Sequence, residues 1–177
     1  GFVVGIVDKN KLITGKKIKP EDVLIGVQSS GLHSNGYSLD RHLVFKKSNY
    51  TVNSYIKELG CKLGDELLKP TIIYVPLIKA LLRKIELKGI AHITGGGITE
   101  NLPRIFPNGL SARIKLNSWV KPAIFNFLQK NYKIQESEML RVFNNGIGMI
   151  LVVEPKHVSA AMKTVMQQKL NSFVIGQ

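Results

Sequence analysis

Three apolar runs of strand length constrain this chain more than any other feature: VLIGV at 23–27, GIGMILVV at 146–153 and SFVIG at 172–176. A strand that stays apolar at successive residues has no face to give to water, so both sides of its sheet must be covered. The segments between the runs supply that cover. Leu39, Leu43 and Val44 share a face in GYSLDRHLVFKK, and Ile78, Leu81, Leu82 and Ile85 form a stripe over 77–87 with Pro76 in the first turn. ITENLPRIF, PAIFNFLQK (opened by Pro122) and the segment after Pro155, with Val158, Ala161, Met162 and Val165 turned inward, also read as helices, as does a short piece from 64 to 68. FVVGIVD at 2–8 and GIAHIT at 89–94 read as further strands, and LSARIKL at 110–116 alternates as a strand with one face in water does. The expected architecture is a layered α/β (α+β-like) domain with a mixed β-sheet covered by helices, rather than a regular doubly wound sheet or a barrel.

No repeat, linker or low-complexity tract divides the 177 residues, so residues 1–177 are read as a single domain. A chain of this length buries roughly 70% of its unfolded surface. No segment reaches the ~20 apolar residues that span a bilayer, and the N-terminal run, interrupted by Asp8, is not a signal peptide. The chain opens on a strand-like run without an initiator methionine, which leads to the expectation that it is part of something longer. One cysteine, Cys61, excludes an internal disulfide and suits a reducing, cytoplasmic setting. The balance of 25 basic and 12 acidic residues gives +13, in the range of nucleic-acid binders. Its lysines are spread along the chain, however, in pairs such as Lys16–Lys17 and Lys46–Lys47, with no recognition helix or aromatic-rich basic segment. Specific nucleic-acid binding is therefore not expected, and affinity for phosphorylated small molecules accounts for the surplus more economically.

Two glycine-bearing loops share one design. Each follows an apolar strand and leads into a helix: Ser29, Ser30, Gly31, His33, Ser34, Asn35 and Gly36 in the first, Thr94, Gly95, Gly96 and Gly97 in the second. Such a unit gathers free backbone N–H groups and the positive end of a helix at one spot, and a glycine lets a ligand approach the backbone closely. That arrangement suits phosphate or another anion. Neither loop is a Walker A sequence or a dinucleotide fingerprint, and the plainer reading is a tight strand–helix corner. His33 reads either as a capping residue or as a directed group; His92 as a core or supporting residue; His42 and His157 as surface. The four histidines have no metal-ligand spacing. Asn144 and Asn145 before Gly146 make a turn into a buried strand, and no general base is assigned among Asp40, Asp65 and Glu100.

GVQSSGLHSNGYSL, GDELLKPTIIYV, AHITGGGITENLPRIFP and RVFNNGIGMI occur in this order, and together they resemble the C-terminal domain of the phosphoribosylformylglycinamidine cyclo-ligases, or aminoimidazole ribonucleotide synthetases. The likeness covers essentially the whole chain. Leu32 stands where many members carry proline, and Asn145 where a cysteine or other small residue is familiar; neither touches the polar part of a motif. The resemblance implies an ATP-dependent ligase of purine biosynthesis, acting on formylglycinamidine ribonucleotide with Mg²⁺, dimeric when full length. It also implies that ATP and the metal are held mainly by an N-terminal domain that this chain lacks, so that the chain alone is inactive. By analogy, His33 and Asn35 lie near the reacting centre. The first loop (Ser29, Ser30, Gly31, Ser34, Gly36), the second (Thr94, Gly95, Gly96, Gly97, with Asn101) and Asn144 would meet substrate or phosphate. The alternatives are a related domain of formylglycinamidine synthetase or of selenophosphate, thiamine-phosphate or hydrogenase-maturation enzymes, and a non-catalytic basic binding module.

Overall fold

A computed structural model describes residues 2–177. Its centre is a four-stranded sheet in the order β4–β5–β1–β6, formed by β1 (Val23–Gln28), β4 (Gly89–His92), β5 (Ile147–Val153) and β6 (Ser172–Gly176). A two-stranded hairpin of β2 (Tyr55–Ile56) and β3 (Cys61–Lys62) lies apart from it. The three apolar runs are the three inner or adjoining strands, and every residue of β5 is buried. Alternation explains why both faces are closed. Ile25, Val27, Met149, Leu151 and Val153 pack with α3 (Val75–Leu82) and α7 (Val158–Gln167). Leu24, Ile150, Val152 and Ile175 point the other way, onto α4 (Gly97–Asn101), Leu102 and Trp119.

A third apolar cluster sits at one end of the sheet. It joins α1 (Tyr37–Arg41) and the wider π turn His42–Lys47 that continues it to α2 (Leu63–Leu67), α5 (Ala123–Tyr132) and α6 (Glu136–Val142). Phe125, Phe143, Leu128 and Met139 are among its fully buried members. At the opposite end of the sheet a compact ion cluster ties three strand termini. Lys88, just before β4, reaches Asp22, just before β1, at 2.8 Å and Glu154, just after β5, at 3.2 Å. Lys88 and Asp22 are both buried, so each needs the other: an ion pair taken out of water tolerates the loss of neither partner.

The layered α/β expectation holds, but the sheet is antiparallel at each of its three pairings rather than mixed. β1 and β4 run in one direction and β5 and β6 in the other. Strand interleaving separates each parallel pair, with β5 between β4 and β1 and β1 between β5 and β6. Two other expected strands differ. Residues 2–8 pair with nothing among the described residues, and Phe2, Val3 and Ile6 lie at 92%, 93% and 102% of full exposure. An apolar run without a neighbouring strand cannot make a ladder. Residues 110–116 keep their alternating burial but contribute one bridge, Ile114 to Gly176, with Arg113 and Lys115 N–H donating to Gln177 and Ile175 carbonyls along the edge of β6. No helix among the described residues is long and apolar enough to cross a membrane.

The doubly covered sheet makes a direct prediction. Leu151→Ala removes a fully buried side chain from a central strand and lowers stability by about 2–5 kcal/mol. Val174→Ala, at a position 44% exposed on an edge strand, costs less than about 1 kcal/mol. Urea denaturation of the two variants measures both.

Candidate functional site

Three loops converge at the end of the sheet away from the Lys88 cluster. β1 leaves through residues 29–36, β4 through 93–97, and β5 is entered through 143–146. The register places them together: Gln28 lies opposite Ile147 and His92 opposite Met149, while Ser29 N–H donates to Gly146 O at 2.8 Å and Ile93 N–H to Gly148 O at 2.9 Å. The two glycine loops are neighbours. A β-carbon on Gly95 would stand 3.9 Å from Asn35 Oδ1.

The first loop is held in a costly conformation. His33 and Ser34 follow one another at φ 53° and 63°, the left-handed region that non-glycine residues rarely enter. Gly36, at φ 74°, opens α1 over the Phe143 ring, and a β-carbon there would lie 2.2 Å from it. Side chains from three segments fix this path. Asn144 Nδ2 donates to the carbonyls of Gly31 and Leu32 at 2.9 and 3.2 Å. The Ser29 hydroxyl shares its proton between Gly31 O at 3.0 Å and Asn144 Oδ1 at 2.9 Å, and Asn35 Nδ2 donates to His33 O at 2.9 Å. His33 Nε2 accepts two backbone N–H groups, from Ser30 at 3.0 Å and Ile72 at 3.3 Å.

Those two bonds define the state of His33. A nitrogen that accepts has no proton, so the ring is neutral with its proton on Nδ1. Burial, and then the charge of nearby His92, lower its pKa to about 4. His33 Nδ1 is buried without a protein partner. His33, Tyr74 and His92 stand in a row, with successive ring centres 6.1 and 6.2 Å apart, and His92 at the exposed end.

The second loop is clasped by Asn101, whose Nδ2 donates to the carbonyls of Gly97 at 2.8 Å, Gly95 at 3.1 Å and Thr94 at 3.4 Å. Thr94 Oγ1 bonds Asn101 Oδ1 at 3.1 Å. Gly97, at φ 58°, lets α4 touch the end of α6: a β-carbon there would lie 1.9 Å from Leu140 O. In the third loop Asn145 sits at φ 50°, donates to Met139 O and Phe143 O, and receives Trp119 Nε1 on its own carbonyl at 2.8 Å.

Burial divides the residues named from sequence into two sets. Ser29, Gly31, His33, Gly97, Asn101 and Asn144 are buried and bonded to the loops from behind. Ser30, Ser34, Asn35, Gly36, Thr94, Gly95 and Gly96 keep exposed or partly exposed surface on the front. The N–H groups of Ser34, Gly36, Gly95 and Gly96 donate to no protein acceptor among the described residues. The neutral, buried ring of His33 supports the loop through the two amides on Nε2, while its Nδ1–H has no protein partner. Asp65 and Glu100 are exposed, whereas Asp40 is fully buried.

Sequence reasoning assigned no role to the segment that closes the fourth side. Glu66 is buried and paired with Lys69 at 2.6 Å, Ser30 Oγ donates to Pro70 O at 2.7 Å, and Tyr37 OH donates to Leu67 O. With Ile72 N–H on His33, these bonds seat GDELLKPTIIYV against the first loop. Its weak hydrophobic period carries no sign of this, since the contacts are made by backbone groups. Among the described residues no three His, Cys, Asp or Glu side chains gather to hold a metal ion.

The neutral His33 is testable. Its pKa is lower in the folded chain than in the unfolded one, so its contribution makes stability fall as pH drops from about 6.5 to about 4. Nitrogen-15 NMR of the ring at pH 6 is expected to show the Nδ1–H tautomer, uncharged. An imidazolium at that pH would contradict the geometry.

Comparison with known proteins follows the same outline. Residues 19–177 match the family described as AIR synthase related protein, C-terminal domain. The phosphoribosylformylglycinamidine cyclo-ligase of Caldicellulosiruptor bescii is 51% identical over 177 residues, covering 99% of this chain and 52% of that protein. The enzyme of the same name from a Thermoanaerobacter species is 49% identical, over 100% of this chain and 52% of its own length. The chain thus spans about half the length of these relatives. Among solved structures, thiamine-monophosphate kinase from Stenotrophomonas maltophilia superposes with a TM-score of 0.63 at 12% identity, over 97% of this chain and 51% of the kinase. The hydrogenase maturation protein of E. coli gives 0.61 at 17%, over 97% of this chain and 47% of its own. At such identities these two show the fold alone. With a match over nearly all of its length and half-identical relatives along the whole of it, the chain belongs to the AIR synthase related C-terminal domain family.

Proposed function

We propose that this chain is the C-terminal half of a phosphoribosylformylglycinamidine cyclo-ligase and forms one wall of its active site. The observation that carries the reading is the identity of about half of all residues with proteins of that name, sustained from end to end. The geometry supports it: two adjacent glycine loops leave four backbone N–H groups without a protein acceptor among the described residues, and donors of this kind suit a phosphate.

The reaction uses ATP to activate formylglycinamidine ribonucleotide. The amide oxygen of the substrate takes the γ-phosphoryl group, an internal nitrogen attacks the activated carbon, and the oxygen leaves with the phosphate as the imidazole ring closes; ADP is the other product. The phosphoryl group carries negative charge throughout, so its stabilisation falls to positioned donors and to cations. In this chain the front set does the contacting: the N–H groups of Ser34, Gly36, Gly95 and Gly96, with the side chains of Asn35, Ser30 and Thr94. His33, Asn101 and Asn144 are positioning residues. ATP and Mg²⁺ are assigned to the other half of the full-length protein. A cytoplasmic homodimer, with the two halves of each chain meeting at this face, completes the proposal.

Gly95→Asp tests the loops. Gly95 is exposed and a β-carbon there meets nothing closer than Asn35 Oδ1, so the fold accepts the side chain while its carboxylate repels an anion. Titration with ribose 5-phosphate, followed by calorimetry, is expected to show affinity at least ~10-fold weaker in the variant, equivalent to ~1.4 kcal/mol. Equal affinity would remove the loops from the site. The chain alone is expected to release no ADP from ATP and formylglycinamidine ribonucleotide; substrate-dependent ADP release by this chain would show that the second half is dispensable.

A further inference from the structure

Of the three buried carboxylates among the described residues, Asp22 faces Lys88 and Glu66 faces Lys69, while Asp40 faces no cation. Asp40 is 0% exposed, and neither of its carboxyl oxygens has a hydrogen-bond partner. Its place in the fold makes this consequential. It lies in the first turn of α1, its N–H donates to Gly36 O at 2.9 Å, and Gly36 is the last residue of the strained first loop. An acidic side chain in a first turn ordinarily stays in water near the helix's free N–H groups. This one is instead fully buried, on a helix whose Tyr37 and Leu39 pack against the apolar cluster of Val44, Phe125, Leu128 and Phe143.

The groups set around it offer no compensation. Tyr37 on the same helix and Tyr132 on α5 are phenols whose own pKa values are raised by burial, with Asp40 adding to the rise. Glu66 of α2 and Tyr50 act on those phenols in the same direction. Arg41 and His42 are exposed, and Arg141 of α6 is engaged by Glu138 at 2.9 Å. A carboxyl so placed is tolerated as the neutral acid and resisted as the anion.

We propose that Asp40 is a proton-carrying positioning residue: protonated, it stays buried and holds the first loop in its left-handed path, and on losing its proton to solvent it draws the start of α1 toward water and loosens the loop. Burial raises its pKa to about 7, which sets the change near neutral pH. The proposal concerns the loop itself, needs no ligand, and stands whether or not the loop binds phosphate. Because the folded chain holds this proton more tightly than the unfolded chain, unfolding becomes easier as pH rises from about 4 to about 7 and levels off above that.

The test is an NMR titration of the chain between pH 5 and 8.5. In the wild type the Asp40 side-chain carboxyl carbon, and the amides of Asn35, Gly36 and Tyr37, are expected to shift together with one midpoint near pH 7. In Asp40→Asn and Asp40→Leu those amides stay flat. A wild-type carboxyl midpoint below pH 5 overturns the proposal, as does an amide titration that persists in both variants. Urea unfolding is the second readout. The ratio of wild-type to Asp40→Asn unfolding constants is expected to rise about tenfold per pH unit between roughly pH 5 and pH 7; a ratio that does not change with pH overturns it equally.

Discussion

The carboxamide of Asn144 makes all four hydrogen bonds of which it is capable, and the candidate site hangs on them. Its oxygen accepts from Ser29 Oγ and Gly146 N–H, and its nitrogen donates to the carbonyls of Gly31 and Leu32. The residue is fully buried, so each bond is made without competition from water. Its effect is to lock the entry to β5 onto the exit from β1. The strained turn at His33 and Ser34 persists because this anchor, the two amides on His33 Nε2 and the Asn35 bond over-determine the loop. Asn101 repeats the device on the second loop, with one side chain clasping three carbonyls.

How much of this can be read from residue order follows from the range of the forces involved. The doubly covered strands are legible because burial on both faces writes a continuous apolar run, as in the ILVV of β5. Helices with long apolar stripes, such as α3 and α7, are legible for the same reason. The α6 helix is not, since Glu136–Val142 is short and only Met139 is fully buried. Residues 2–8 have strand composition without a strand's neighbour, and 110–116 run along an edge with a single bridge. Pairing is a long-range property, and composition does not report it.

The site was legible at the level of loops and not of individual side chains. Glycine placement marks both turns, because a β-carbon at Gly36 or Gly97 would collide with Phe143 or with the Leu140 carbonyl. Which polar residues face outward depends on packing from elements more than a hundred positions away, as with Asn144 behind Gly31. His33 shows the difference most clearly. Its residue type suggests proton chemistry, while its burial and the two amides donated to Nε2, which tie it to the loop, are set by packing that residue type does not report.

The interleaving of the sheet has a consequence for how the chain reaches this state. Among the described residues only β4 pairs with the strand that follows it in the main sheet, β5; β1 pairs with β5 and β6, both far along the chain. Until Ile147–Val153 has been synthesised, neither β1 nor β4 has anything to pair with, although both are largely apolar. Contacts this far apart in sequence make folding slow and leave sticky intermediates exposed. On the ribosome, β1 therefore waits through more than a hundred residues of elongation with its hydrogen bonds unmade, and the arrival of β5 converts two solitary strands into a sheet in a single event.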